Sequence, residues 1–401
     1  MGAAFDTARE LDGTYVMHTF ARKPVLFVRG EGMRLYDDEG REYLDFVSGI
    51  GAVNLGHAHA AVAAAVGEQM AKLVHVSNLF YVEQRAELAE ALANLAGGGP
   101  WRTFFANSGA EAVEGAIKLA RRWGTRKHGA GCTTIVTAER SFHGRTLAAL
   151  AATGQPSKQE AFEPLPAGFV HVPLNDLEAL GAAVTDEVCA VMLEPLQGES
   201  GVFPCSEEYL AGVRALCDER GVLLVFDEVQ TGFFRTGPAF AWQGYGVEPD
   251  VFTLAKGIAN GLPMGALVAR DDVAAAFAVG DHGSTFGGGP VLAAAALATI
   301  EGLETERCGE RAETAGGYLR AGLATLGAAT GAIIDVRGRG LMVGVTLAQP
   351  HAQRIATRLL ERGIVVNAIG DSILRFLPPL VCSTSEIDTL LNVLSQTFEE
   401  M

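Results

Sequence analysis

The sequence predicts an α/β protein in which a mostly parallel sheet is covered by helices on both faces. Short apolar runs alternate with helix-length segments through the middle of the chain. Such alternation implies right-handed crossover connections, which place successive strands parallel in one sheet. With 401 residues the chain is too long for one simple core, so we expect a smaller second domain beside the large one.

Six apolar runs are predicted to form the strands of the large sheet: residues 103–105, 133–137, 188–193, 222–226, 251–254 and 266–269. Helices are predicted between them, with 109–123 and 206–220 as the clearest examples. In a sheet of this kind the binding and catalytic residues lie at the carboxyl ends of the strands. The residues that directly follow each run are therefore the first to consider for function.

Both ends of the chain are predicted to lie outside the large domain. Residues 24–46 indicate short strands around a turn. After a glycine-rich loop near 283–290 and an Ala-rich helix, the remainder indicates helices at 350–362 and 384–399 and strands around 332–347 and 364–377. The resulting division is an N-terminal segment that packs with the small domain, a large domain and a C-terminal small domain, at residues 1–54, 55–303 and 304–401.

The amino-acid composition indicates which partners and which cellular compartment to expect. The formal net charge of −16 would repel phosphate backbones and anionic lipids, so we expect neither nucleic acid nor a membrane as partner. None of the six cysteines forms a C-x-x-C pair, which favours buried free thiols. The first residues lack a secretory pattern, and no apolar run is long enough to span a membrane. A cytoplasmic protein is the expectation.

The first motif with a chemical meaning follows the strand predicted at 103–105. It reads Asn107-Ser108-Gly109-Ala110-Glu111 and opens a predicted helix. Free N–H groups at a helix start, with a serine hydroxyl beside them, can hold a phosphate. An ordinary helix cap would look the same, so this motif alone leaves both interpretations open.

The second motif ends the strand predicted at 222–226. Asp227 and Glu228 follow it directly, and adjacent residues on a strand point to opposite faces. Only one of the two acids can therefore face the cleft. Asp227 suits a pairing with a protonated pyridine nitrogen, which needs an ionised partner for the ring to act as an electron sink.

The third motif is Lys256, which ends another apolar run, 251–254. A lysine in such a position is either a solvated residue at a loop start or a desolvated nucleophile. A desolvated lysine has a lowered pKa and can form a Schiff base and then carry a proton. The phosphate cradle, the acid and the lysine, each at a strand end, together match what pyridoxal phosphate requires.

These residues belong to longer motifs that resemble one family. They are NSGAEA (107–112), SFHGRT (141–146), EPLQGE (194–199), FDEVQTGFFRTG (226–237), AKG (255–257) and GSTFGG (283–288). Nearly the whole chain resembles the class III, pyridoxal-phosphate-dependent aminotransferases, and residues 140–176 look most like the acetylornithine group. The resemblance implies the aspartate-aminotransferase-like fold, also called fold type I.

The resemblance also implies the residues that hold pyridoxal 5'-phosphate. Lys256 would form the Schiff base and, with Asp227, carry the catalysis. Thr285 would reach the phosphate of a neighbouring subunit, which implies a homodimer with shared active sites. The full set of implied cofactor residues is Ser108, Gly109, Ala110 (phosphate), Phe142 (stacked on the ring), His143, Glu194, Asp227 (ring nitrogen), Gln230 (ring hydroxyl), Lys256 and Thr285.

The resemblance implies three further residues that bind and recognise the substrate. Arg145 and Arg375 can each grip a carboxylate through two hydrogen bonds. The family pattern implies that Glu199 pairs with Arg375 while the amino donor is bound and moves away for 2-oxoglutarate. Phe20 stands where many relatives have Tyr, so a hydroxyl contact near the substrate is expected to be missing. Gly289 stands where Asn is usual, and both departures bear on the fine substrate specificity.

The resemblance implies transamination of N-acetylornithine with 2-oxoglutarate, giving N-acetylglutamate semialdehyde and glutamate in arginine biosynthesis. Ornithine, succinylornithine and 4-aminobutyrate stay open as donors, and succinyl-diaminopimelate as a side activity. A non-catalytic binding protein of the same fold is the alternative from another class, and the intact Lys256, Asp227 and Ser108 argue against it. A mutase or decarboxylase of the same fold stays open, and the set of Arg145, Glu199 and Arg375 favours transamination. No metal is expected, since His57 and His59 lack a third ligand at a recognisable spacing.

Overall fold

A computed structural model describes residues 2–401. Its strands are β1 Phe27–Glu31, β2 Arg34–Asp37, β3 Glu42–Asp45, β4 Trp101–Ala106, β5 Thr134–Ala138, β6 Phe169–Val172, β7 Val188–Leu193, β8 Leu196–Gln197, β9 Phe203–Pro204, β10 Leu223–Asp227, β11 Val251–Leu254, β12 Gly265–Arg270, β13 Ile333–Arg339, β14 Met342–Leu347, β15 Ile364–Val365, β16 Asn367–Ile369 and β17 Ile373–Phe376.

The helices cover the sheets and connect their strands. They are α1 Ala3–Tyr15, α2 Ser48–Gly51, α3 Ala60–Lys72, α4 Glu83–Leu95, α5 Gly109–His128, α6 Leu147–Ala152, α7 Pro156–Gln159, α8 Leu177–Ala183, α9 Glu207–Arg220, α10 Ala241–Tyr245, α11 Asp271–Ala274, α12 Pro290–Thr305, α13 Cys308–Thr330, α14 Ala352–Glu361 and α15 Thr384–Glu399, with 3₁₀ turns at Glu160–Phe162 and Lys256–Ala259.

The large sheet has seven strands in the order β4-β12-β11-β10-β7-β5-β6. All neighbours are parallel except at β12, which runs antiparallel to both β11 and β4. A crossover helix is absent between β11 and β12, and a chain that returns through a short connection pairs antiparallel. The predicted α/β fold with a mostly parallel sheet is confirmed.

Strand β6 was not among the predicted strands. It lies at the edge of the sheet, pairs only with β5, and alternates partly buried and exposed residues. Central strands such as β7 and β10 are buried at every position and so read as continuous apolar runs. A short edge strand lacks that signal, which explains why it was missed.

Helix α5 shows how the local sequence sets up the site. The hydroxyl of Ser108 caps it by accepting the N–H of Glu111 at 3.2 Å. Its buried face is rich in alanine, as at Ala112 and Ala116, which lets the helix lie close to the sheet. The predicted end at residue 123 was too early, because the helix continues to His128, where Gly129 with a φ of 102° ends it.

Two smaller four-stranded sheets lie outside the large one. One is formed wholly by C-terminal strands in the order β13-β14-β17-β16, and the other has the order β1-β2-β3-β15. In the second, β15 pairs in parallel with β3, so the N-terminal segment shares a sheet with the C-terminal part of the chain. Arg375 lies on β17, in the first of these two sheets.

The thiols and helices outside the site give two further results. All six cysteines are buried and free, as the sequence predicted. In the part of the chain that the structure describes, none of the helices has the length and apolar character needed to cross a bilayer.

Candidate active site

One cavity of about 380 Å³ collects most of the residues that the sequence singled out. It lies at the carboxyl ends of β4, β10 and β11, where function is expected in such a sheet. The predicted residues that line it are Ser108, Gly109, Ala110, Phe142, His143, Arg145, Glu194, Glu199, Asp227, Gln230 and Lys256. Arg375 reaches this cavity through Glu199, whereas Thr285 is an exposed residue of a separate loop.

The predicted phosphate cradle lies at the start of α5. Ser108 is in extended conformation and caps the helix, and the first N–H groups after it have no partner within the helix. Gly109 is packed closely, since a side chain there would approach Val229 Cγ1 to 2.8 Å. This end of the helix therefore offers free donors, a hydroxyl and the favourable end of the helix dipole to an anion.

Asp227 is held rigidly at the end of β10. One carboxylate oxygen accepts a hydrogen bond from Thr253 Oγ1 at 3.2 Å and from the N–H of Val229 at 3.1 Å. The other oxygen lies 2.8 Å from His143 Nδ1. Burial acts to lower the pKa of His143, but the bond to Asp227 outweighs burial and raises the pKa above its ordinary value. The carboxylate is thus fixed by three donors in a buried setting.

Glu228 lies on the opposite face of the same strand end. Its carboxyl group accepts the N–H groups of Ala241 and Trp242 at 3.0 and 2.9 Å and also bonds the hydroxyl of Thr231. Burial raises its pKa to about 7. As expected from strand geometry, one acid faces the cavity and its neighbour caps a helix on the other side.

Lys256 follows β11, lines the cavity and is partly buried. Its φ of 48° is unusual for a residue with a side chain, and such backbone strain is concentrated at functional sites. No hydrogen bond or ion pair joins its ammonium group to another group within residues 2–401. Burial, chiefly, lowers the pKa of Lys256. An amine that has no partner and has a lowered pKa can act as a nucleophile.

Glu194 joins two sides of the cavity wall. Its carboxyl oxygens accept the N–H of Phe142 at 2.9 Å and that of Gly198 at 3.3 Å. Burial raises its pKa to about 7 despite the nearby His143. Glu194 therefore fixes both the ring-bearing segment of Phe142 and the loop that carries Glu199.

Glu199 and Arg375 form an ion pair of 2.7 Å at the cavity wall. Arg375 is almost fully buried and also donates to the carbonyl of Gly198 at 2.9 Å and to Asn367 Oδ1 at 3.1 Å. Burial acts to raise the pKa of Glu199, but Arg375 and then Lys256 lower it to about 2. The amide of Gln230 contacts both partners, at 3.3 and 3.4 Å.

Two residues of the site were missed by the sequence analysis. Thr253, which bonds Asp227, lies on the neighbouring strand, and its pairing opposite Asp227 could be found only once the strand order was known. Lys158 approaches the ring of Phe142 from a short helix with no periodic signal.

His57 and His59 bond different carboxylates, Asp45 and Glu306, at 2.8 and 2.9 Å.

The donor set fits pyridoxal 5'-phosphate. The cavity combines a helix N-terminus for a phosphate, a buried carboxylate for a ring nitrogen, an aromatic side chain for stacking and a partly buried amine without a partner. Charged groups that are withdrawn from water rarely lack partners in folded proteins. The Lys256 ammonium is such a group, and an amine of this kind would hold the aldehyde of the cofactor.

Comparison with known proteins agrees with this chemistry. The model of the family "Aminotransferase class-III" matches residues 16–398. The acetylornithine aminotransferase of Caldanaerobacter subterraneus subsp. tengcongensis is 47% identical over 387 residues, which are 96% of this chain and 98% of that protein. The enzyme of the same name from Gloeobacter violaceus is 49% identical over 396 residues, 98% of each chain.

Solved structures with the same architecture include two named enzymes. An ornithine aminotransferase from Toxoplasma gondii is 31% identical and matches with a TM-score of 0.94, covering 99% of this chain and 95% of that one. An acetylornithine aminotransferase from Elizabethkingia anophelis is 32% identical with a TM-score of 0.89 and covers 99% of each chain.

Proposed function

The chain belongs to the class-III aminotransferases, which use pyridoxal 5'-phosphate, and we propose that its reaction is the transfer of the δ-amino group of N-acetylornithine to 2-oxoglutarate. The products are N-acetylglutamate semialdehyde and glutamate, a step of arginine biosynthesis. The observation that carries the proposal is the cavity in which the unpaired Lys256 lies with Asp227 and the Glu199–Arg375 pair. The name shared by the curated relatives supports N-acetylornithine as the donor.

When bound, pyridoxal 5'-phosphate supplies an aldehyde that accepts an amino group and a ring that withdraws electrons from the substrate carbon. Lys256 Nζ is the group that we assign to the covalent link and then to proton transfer at the substrate carbon. Its lowered pKa favours the neutral amine, which both roles need. Asp227, held by His143 and Thr253, keeps a positive charge on the ring nitrogen.

The remaining cavity residues bind and orient the cofactor in this proposal. Ser108, Gly109 and Ala110 hold the phosphate at the start of α5. Phe142 packs on the ring, with its backbone fixed by Glu194. Gln230 bonds the ring hydroxyl, and the close fit of Gly198 supports a fixed amide there, since a Cβ at Gly198 would overlap Gln230 Oε1. His143 binds indirectly, through Asp227.

Substrate selection rests on the two arginines and Glu199. In the donor half-reaction, Glu199 neutralises Arg375, so a substrate without a carboxylate beside its reacting amine is accepted. In the acceptor half-reaction, Glu199 moves away and Arg375 binds the α-carboxylate of 2-oxoglutarate. Arg145 lines the cavity mouth and has no acidic partner within residues 2–401, which suits it to the more distant carboxylate.

The assembly that we propose is a homodimer with shared active sites. A run of exposed apolar side chains lies next to the loop of Thr285: Leu79, Phe80 and Tyr81 are 87%, 64% and 104% exposed, and Phe286 is 63% exposed. Apolar patches of this kind mark interfaces. In the proposed dimer a second copy covers this patch, and we assign Thr285 to the partner's phosphate site. We also propose a cytoplasmic location and keep the division at residues 54 and 303, which the three sheets support.

The donor is tested by steady-state assays of the purified holoenzyme with 2-oxoglutarate, measured as glutamate formed. N-acetylornithine, ornithine, succinylornithine and 4-aminobutyrate are compared by kcat/KM. We expect N-acetylornithine to give the highest value. A higher value for another amine would keep the cofactor chemistry and change the assigned donor; no turnover of any of them would refute the proposal.

A further inference from the structure

Two cationic side chains lie close to the same aromatic ring, that of Phe142, which lines the cavity. Lys158 Nζ lies 4.8 Å from the centroid of the Phe142 ring, and Arg145 Cζ lies 5.8 Å from the same point. Phe142 and Arg145 line the cavity. Lys158 comes from α7, a helix of a single turn that follows the segment carrying Phe142 and Arg145.

Neither cation is neutralised within the chain. Among residues 2–401, Lys158 and Arg145 form no ion pair with an acid and no hydrogen bond. The chain has 47 acidic and 31 basic side chains, so acids outnumber the cations that could pair with them. Lys158 and Arg145 are unpaired in spite of this excess. Lys158 is also half-buried, and burial of an unpaired charge is unfavourable unless another group compensates it.

The electrostatic surroundings of Lys158 are those of the cavity. Burial lowers its pKa first, and the charges that act on it are Glu199, Arg145, Glu194 and Arg375, all of which belong to the site. Lys158 and Arg145 therefore form one positive region beside the reacting centre. Such a region attracts and holds a small anion.

We propose that Lys158 is a specificity-determining residue that, together with Arg145, binds the substrate carboxylate farthest from the reacting carbon. The inference rests on the proposed function, because both proposed substrates carry such a carboxylate. In 2-oxoglutarate it is the carboxylate remote from the keto group, and in N-acetylornithine it is the one remote from the δ-amine. A lysine acts there as a second point charge beside the planar guanidinium of Arg145.

The test compares holoenzyme of the wild type with Lys158→Gln and Lys158→Arg. Gln has similar length without the charge, whereas Arg keeps it. Losing one charge-assisted contact should raise the KM for 2-oxoglutarate and for the donor about tenfold, while kcat changes by less than about twofold. Lys158→Arg should restore most of the wild-type KM.

Lys127→Gln is the matched control, since Lys127 Nζ lies 4.4 Å from the ring centroid of Trp123 on the exposed end of α5. Its KM values should equal those of the wild type. An unchanged KM for 2-oxoglutarate in Lys158→Gln, or an equal loss of kcat, would overturn the inference. Failure of the proposed function is distinguishable, because it shows in the wild type alone as absent turnover of 2-oxoglutarate.

Discussion

Charged side chains have different partners inside the cavity and outside it. Outside the cavity, Glu228 has three donors, and Arg235, which is fully buried, donates to the carbonyls of Leu341 and Pro378 and to Asn54. In the cavity, Lys256 has no partner at all, and Glu199 has a partner that can be replaced by a substrate. The first arrangement stabilises the fold, whereas the second keeps reactive groups available.

Removing the unpaired amine should have the largest effect on activity. Lys256→Ala takes away the group assigned to the covalent link and proton transfer, so kcat should fall at least about a thousandfold. Because the ammonium has no partner, the thermal midpoint should stay close to that of the wild type. Lys72→Ala, at an exposed site on α3, is the control and should keep full activity. Appreciable turnover by Lys256→Ala would sink the assignment.

Removing the buried guanidinium of Arg235, which lies outside the cavity, should instead act on stability. Arg235→Ala leaves buried acceptors from three distant parts of the chain without a donor, which should lower the free energy of unfolding by about 4 kcal/mol. Chemical denaturation measures the change, with Arg220→Ala on the exposed end of α9 as control. An unfolding free energy equal to that of the wild type would show that the bonds of Arg235 do not hold the chain segments together.

The free energy of unfolding should depend on pH through the carboxyl group of Glu228. Burial raises its folded pKa from the ordinary value of 4.5 to about 7, so the folded protein holds this proton more tightly than the unfolded chain. Stability should therefore fall as the pH rises from about 4.5 to about 7, with Glu228 contributing up to about 3 kcal/mol. Glu228→Gln should flatten this decline, and Glu194 should account for part of what remains. Equal pH slopes in variant and wild type would contradict the assignment.

The replaceable ion pair should affect the balance between the half-reactions. Glu199→Ala leaves Arg375 without its acid, so the donor half-reaction should slow by about tenfold relative to the acceptor half-reaction. Single-turnover absorbance measurements of the bound cofactor give the two rates separately. Glu207→Ala removes an exposed acid that pairs with Arg339 and is the control. If the ratio of the two rates is the same in Glu199→Ala and wild type, the switching role fails.

Much of the fold and site could be predicted from local sequence because the signals are local. Ser108, Asp227 and Lys256 each end or follow a buried apolar strand, and such strands are the clearest pattern in an α/β chain. The alternation of side chains along β10 predicted that only one of Asp227 and Glu228 faces the cavity, and the choice of Asp227 rested on the pairing that a pyridine nitrogen needs.

The rest depends on contacts between distant segments. Glu199 and Arg375 are 176 residues apart, and their pairing was expected from family resemblance alone. The pairing of β15 with β3 and the bond from Thr253 to Asp227 follow from the strand order, which periodicity does not give. Lys158 lies on a four-residue helix whose position against Phe142 is set by the tertiary structure.

The most direct test of the account is to locate the covalent link of the cofactor. Holoenzyme is reduced with borohydride to make the link permanent, then digested, and the modified peptide is identified by mass spectrometry. The account predicts the pyridoxyl group on Lys256, at high occupancy and on no other lysine. Modification of a different lysine, such as Lys158, or none after loading with pyridoxal 5'-phosphate, would contradict it.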